Sequence, residues 1–238
     1  MDPVLLPVVL LAISASFLVS AAAGFGGSLI LVPTLALILG TKEGAALAAL
    51  LLAANNIVKV FAYRRALPVQ RALVVILLTV VGAAVGALLL VAAPERVVTA
   101  AVICSFVGAF AVERLDVSAL RRAGAPLLAL GSGLTSGFSG TSGPLKGLAV
   151  RSLELDRQHL VGALSLVSLV GDATKTAIWA DAGLITGSGY LLALAAVPLM
   201  VVATMSGRRL NSSISERAFT GLFWTVMIGY TARLLAGF

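Results

Sequence analysis

The sequence predicts an all-α polytopic membrane protein built as two inverted repeats, each a broken or re-entrant hairpin followed by three transmembrane helices. Three observations carry that prediction. The 238 residues are 60% hydrophobic and 11% charged with a mean hydropathy of +1.08, values that a domain with a water-facing surface does not reach. Apolar runs at 4–23, 72–93, 97–112, 184–205 and 218–237 are each near or above the roughly 18 residues that cross a bilayer core. Finally, Gly24-Phe25-Gly26-Gly27-Ser28 recurs half a chain later as Gly137-Phe138-Ser139-Gly140-Thr141, so apolar sequence is broken twice in matching places.

The chain opens with the apolar arm 4–23, which has no cleavage-site ending and leads straight into Gly24, and so reads as structure rather than a signal peptide. Its length permits a full span or a re-entrant arm. After the first glycine tip comes the marginal arm 28–40, then crossings expected at 44–63, 71–93 and 96–112. The polar segment Glu113 to Arg122 joins the halves. In the second half the arms 124–136 and 143–151 are too short to span at about 1.5 Å per residue, so they must enter and turn back. Crossings at 158–180, 188–206 and 216–237 follow.

A shift of 116 residues lays Asn56-Ile57-Val58-Lys59 on Asp172-Ala173-Thr174-Lys175, Tyr63 on Trp179 and Gly82 on Pro198. Past an insertion of about five residues around Gly207-Arg208-Arg209, Glu95-Arg96 falls on Glu216-Arg217, Thr99 on Thr220 and Gly108 on Gly229. The division is repeat 1 at 1–116, a cytoplasmic linker at 117–122 and an inverted repeat 2 at 123–238. Repeats of this kind in membrane proteins are most often transporter halves.

An odd number of crossings per half inverts the second against the first, and the basic residues test this. Arg64, Arg65, Arg71, Arg114, Arg121, Arg122, Arg151, Arg157, Arg208, Arg209 and Arg217 fall on one side, and Lys42, Arg96 and Arg233 on the other. Eleven against three places the linker in the cytoplasm and both termini outside. Lys59, Lys146 and Lys175 belong to neither side.

The net charge of +7 is therefore a matter of topology rather than nucleic-acid binding. One cysteine, Cys104, and one histidine, His159, exclude an intrachain disulfide, a zinc site, paired-histidine haem ligation and a Cys/His hydrolase. No cofactor or metal is expected. The partners implied are a small anionic substrate and the lipid bilayer, with no nucleic acid; a homodimer is compatible.

Two groups of residues are candidates for a site. The first is the pair of tips, Gly24, Phe25, Gly26, Gly27 and Ser28, and Gly137, Phe138, Ser139, Gly140, Thr141 and Ser142. Ser28 and Thr141 or Ser142 stand as helix caps, with Pro144 just inside the second helix. Free N–H groups and the positive end of the dipole at such starts attract anions. The competing reading is that the glycines only allow close helix packing, as Gly82 and Gly86 are expected to do. Phe25 and Phe138 either close the site or fill the core.

The second group is Asn55, Asn56 and Lys59 in one half and Asp172 and Lys175 in the other. Polar side chains near mid-bilayer are costly and usually face a pathway. Both lysines can alternatively snorkel to the surface. Asp172 and Lys175, spaced i, i+3, either form a structural pair or divide the work, with Lys175 facing the anion and Asp172 coupling a proton. Lys146 either lines the site or reaches the surface. Tyr63 and Trp179 are expected in the aromatic belt.

The motif pair, Gly24 to Ser28 with Leu29 to Pro33 and Gly137 to Thr141 with Ser142 to Lys146, resembles the sulfite exporters of the TauE/SafE family over nearly the whole chain. That resemblance implies export of sulfite, sulfoacetate or a related organosulfur anion across the bacterial cytoplasmic membrane; the residues themselves argue for a small anion. The rivals are a passive anion channel, which the same site would serve, and an integral-membrane enzyme. For the enzyme, Asp172 with Ser165 or Ser168 is the available cluster, and it lacks a histidine.

Overall fold

The computed structural model describes residues 6–23, 27–114, 124–141 and 143–210. Regular structure among them is helical throughout: α1 Leu6–Ala23, α2 Gly27–Leu39, α3 Thr41–Ala62, α4 Val69–Ala92, α5 Glu95–Arg114, α6 Gly124–Ser139, α7 Gly143–Arg151, α8 Arg157–Asp181, α9 Gly187–Ala195 and α10 Val197–Leu210. In hydrocarbon a chain this apolar satisfies its backbone within each helix. Breaks fall where that ladder cannot continue. Pro68 precedes α4 and Pro94 precedes α5, each at a position where a missing N–H costs no intrahelical bond. Asp156 caps α8, its carboxylate accepting the His159 N–H at 2.9 Å.

α3, α4 and residues Gln158–Asp181 of α8 are long and apolar enough to cross a membrane; α9 and α10 together make a fourth candidate. The arms α6 and α7, with 16 and 9 residues, reach about 24 and 14 Å and fall short of a bilayer core. Half-exposed Leu73, Leu77, Val81, Val85 and Leu88 form an outward apolar stripe along α4, a surface suited to lipid.

Two expectations need correction. The crossing expected at 188–206 is broken, with α9 and α10 bent by 43°. Pro198 offers no N–H to the Leu194 carbonyl and its ring crowds that group, so the helix stops and restarts around Ala196. The second glycine tip is also shorter than its motif: Gly137, Phe138 and Ser139 remain helical in α6, and the break falls at Gly140, with φ +79°. Left-handed backbone there favours glycine. The first tip at 24–26, Ser142, the linker at 117–122 and the crossing at 216–237 lie outside the described residues.

Helix directions follow from neighbours. Asn56 meets Asp172 while Ala66 lies against Gly162, so α3 and α8 run antiparallel. Gly82 sits against Gly133 and Gly86 against Gly137, so α4 and α6 run parallel, their backbones in direct contact along four glycines. One end of the bundle therefore gathers the end of α3 and the starts of α4, α6 and α8, with Arg64, Arg65, Arg71 and Arg151. At the other end Lys42 Nζ donates to the Val91 carbonyl at 2.9 Å and the Thr41 N–H to Glu95 Oε1 at 2.8 Å.

Candidate functional site

Between these ends, Asp172 of α8 uses both carboxylate oxygens. Asn56 Nδ2 donates to Oδ2 at 2.8 Å and Lys175 Nζ lies 2.8 Å from Oδ1. Asn56 and Asp172 are the residues that the 116-residue shift superimposes. Lys175 Nζ donates further to Ser136 Oγ and to the Gly140 carbonyl, each at 2.9 Å. Those three partners use all three ammonium hydrogens and tie α8 to the tip of the α6–α7 hairpin. Gly140 in turn packs against Val32 of α2 and Ala45 of α3, so the hairpin tip meets elements of the first half in the bundle's interior.

Lys59 and Lys175 are 1% and 0% exposed; neither snorkels, because each is enclosed by helices. Lys146, half-buried near the start of α7, lies within electrostatic reach of Asp172, Lys175 and Lys59. Lys175 is thus paired directly with the Asp172 carboxylate, with Lys59 and Lys146 in electrostatic reach of it, and ammonium, amide and hydroxyl groups together suit an anion.

The remaining candidates divide. Thr141, 1% exposed, holds its hydroxyl without a hydrogen-bond partner just ahead of α7. Asn55 accepts from Thr204 at 3.1 Å on α10 and leaves Nδ2 unpartnered. Ser139 Oγ lies 2.8 Å from the Thr135 carbonyl and accepts from Ser105 at 2.9 Å, so it is held structurally. Phe138 packs half-buried against the core. Gly137 faces α4, where an added Cβ would strike the Ala83 carbonyl and the Ala87 nitrogen; its place is in helix packing. Gly27 accepts a hydrogen bond from Ser16 at 2.7 Å, and Ser28 beside it is half-buried. Gly24, Phe25, Gly26 and Ser142 lie outside the described residues.

The family model described as sulfite exporter TauE/SafE matches residues 8–234. The chain belongs to the TauE/SafE sulfite exporter family. A search of curated proteins and one of solved structures each found no match. Family membership and the apolar helices make this a multi-pass membrane protein of a transporter family.

Sequence reading of this TauE/SafE chain misplaced Trp179 and overlooked Ser136. Trp179 is fully buried rather than in an aromatic belt: its indole N–H donates to the Ala87 carbonyl at 3.2 Å, and Lys175 Nζ lies 5.8 Å from its ring. A buried indole with a satisfied N–H contributes to the core. Ser136 carried a signal, since Ser132 and Ser136 are one turn apart on a largely apolar arm and so share a face. Thr204 had no such pattern.

Proposed function

We propose that this chain is a secondary transporter exporting a small anion, sulfite or an organosulfonate such as sulfoacetate, across the bacterial cytoplasmic membrane with a proton coupled through Asp172. The observation that carries the reading is the buried Lys175–Asp172 pair bonded to the tip of a hairpin too short to span, with Lys59 and Lys146 in electrostatic reach. Intramembrane charges of this kind mark ion pathways. The Thr141 hydroxyl, Ser142, Ser28 and the tip N–H groups donate to the anion, Asn55 and Asn56 line the site, and the lysines supply charge. Proton uptake at Asp172 Oδ1 removes its charge from Lys175, whose ammonium also holds the Gly140 carbonyl. Protonation is thereby linked to the hold on the hairpin tip, the element whose movement would alternate access.

The same reading includes two inverted repeats, 1–116 and 123–238. Its support is that α3 and α8, counterparts under the 116-residue shift, run antiparallel and meet at counterpart residues. Neighbours also exchange symmetrically: α4 of the first half packs on α6, and α10, in the register of α4, packs on α1, in the register of α6. The excess of arginines at the α3 end favours that end as cytoplasmic, with both termini outside.

The test is flux into proteoliposomes of sulfite, sulfoacetate, sulfate and chloride with and without an imposed pH gradient. The expectation is sulfite or sulfoacetate movement against its own gradient when a pH gradient is present, lost in Asp172→Asn. Flux indifferent to pH in wild type and Asp172→Asn alike would instead identify a passive anion channel, and absence of anion flux would remove the proposal.

A further inference from the structure

We propose that Ser132 of α6 forms, with Ser136 one turn above it, an entry station where a small oxyanion is held on its way from the arginine-rich end to the hairpin tip. This rests on the transport reading above and adds a second anion position to it. Among the described helical residues, Ser14, Thr34, Thr135, Ser139, Ser165 and Thr174 each turn their hydroxyl back onto the carbonyl four residues earlier, at 2.7–2.9 Å. That bond is open to any helical serine or threonine. Ser132 does not make it. The residue is 0% exposed and its hydroxyl has no hydrogen-bond partner, an arrangement that costs stability unless something else takes the hydroxyl.

The neighbours on its helix place the side chain. Leu128, one turn below Ser132 on the same face, packs in one buried cluster with Leu148 of α7 and with Leu164 and Val167 of α8. Ser136, one turn above, accepts from Lys175 of α8 at 2.9 Å. Ser132 therefore faces the interior shared by α6, α7 and α8, whereas the adjacent Gly133 is set against α4. It stands between the apolar cluster toward the start of α6 and the Lys175 ammonium toward the tip.

Thr141 has the matching feature at the tip, a buried hydroxyl without a partner. Ser132 stands roughly 10 Å back from the tip along α6 at about 1.5 Å per residue, too far for one small anion to meet both hydroxyls. Lys175 lies between them, its ammonium donating to Ser136 Oγ and to the Gly140 carbonyl, each at 2.9 Å. The two hydroxyls thus mark successive positions on either side of one ammonium group. An oxyanion arriving from the arginine-rich end meets Ser132 first, is drawn on by Lys175 and reaches Thr141. A neutral donor suits the first position, because it bonds an oxyanion more weakly than a charged one and so releases it.

Ser132→Ala tests the station, with Ser165→Ala as the matched control, since Ser165 is equally buried but its hydroxyl is bonded within α8. Initial uptake of radiolabelled sulfite and of radiolabelled sulfoacetate into proteoliposomes is measured against concentration, and reversible unfolding is followed in mixed micelles without anion. In Ser132→Ala the half-saturating concentration is expected to rise about three- to tenfold, the worth of one neutral hydrogen bond, with the maximal rate kept. The unfolding midpoint should hold or rise, because no hydrogen bond within the protein is lost. Ser132→Thr, which keeps the hydroxyl, is expected to restore the wild-type half-saturation, and Ser165→Ala to leave it unchanged. An unchanged half-saturating concentration in Ser132→Ala would overturn the station and leave anion transport standing. So would a lowered midpoint in that variant, which would assign the hydroxyl to a bound water in the anion-free protein. Absence of flux for both anions in wild type removes the transport reading itself.

Discussion

Replacing Lys175 by Met removes the ammonium while keeping a flexible side chain of similar length, and the consequences can be worked from its three contacts. Asp172 keeps its hydrogen bond from Asn56 at 2.8 Å and becomes a buried carboxylate without the cation in direct contact with it. Breaking a buried pair in this way costs about 3–5 kcal/mol. Asp172→Asn leaves the complementary excess charge on Lys175, at a comparable cost of about 3 kcal/mol. The double variant loses both charges, so its cost is mainly the two remaining Lys175 hydrogen bonds, to Ser136 and Gly140, at about 1 kcal/mol each plus the ion-pair geometry. Two single costs of about 3 against a double cost of about 3–4 give a coupling of roughly 2–3 kcal/mol, within the range for contacting groups. Reversible unfolding of the purified protein in mixed micelles, followed by tryptophan fluorescence, measures all four corners of the cycle. Additive single variants, with coupling below about 0.5 kcal/mol, would refute the pairing.

Gly86→Ala places a methyl group against the Leu134 carbonyl and 2.9 Å from the Phe138 nitrogen. Backbone cannot swing aside as a side chain can, so a loss of about 1–3 kcal/mol is expected, whereas Gly147→Ala, with nothing within 4 Å, holds or gains stability in the same unfolding assay. Gly140→Ala forces a side chain into left-handed backbone at φ +79° and to within 3.2 Å of Val32. Its strain of about 1–2 kcal/mol is expected to lower the thermal midpoint and reduce transport together, since Lys175 bonds the same residue; unchanged transport would separate the tip from the mechanism. At the exposed cap of α8, the His159 backbone N–H, followed by its side chain, holds the Asp156 carboxyl below its ordinary value. Because the depressed group favours folding when ionised, its contribution is complete above the unfolded pKa of about 4 and lost as pH falls through the folded value. Asp156→Ala should therefore be less stable than wild type at neutral pH, and the gap should close in acid melts.

Much of the architecture was legible because it depends on local composition. The apolar runs around α3, α4 and α8 announced themselves by length, and the short arms α6 and α7 by their shortness. The polar cluster was legible too, since Asn56, Lys59, Asp172 and Lys175 are conspicuous in apolar sequence at matching positions. The motif view failed where one residue type serves two physical ends. Gly137 and Gly140 look alike in Gly-Phe-Ser-Gly, yet Gly137 is helical against α4 and Gly140 turns the chain. Pro198 was read as the counterpart of Gly82 when its missing N–H breaks the crossing.

The sequence by itself determined that this is a helical membrane protein, which segments are apolar enough to span, and that Lys59, Asp172 and Lys175 stand within expected crossings. Each of these follows from side-chain chemistry and spacing within a few turns. The tertiary structure decided which of those groups touch. Lys175 became a staple rather than a snorkelling side chain through Ser136 and Gly140, residues 39 and 35 positions away. Trp179 left the expected interface for the core, and Asn56 found Asp172 at a separation of 116 residues. Such partners are selected by how whole helices pack, through contacts between segments remote in the chain, and that information is absent from any local pattern.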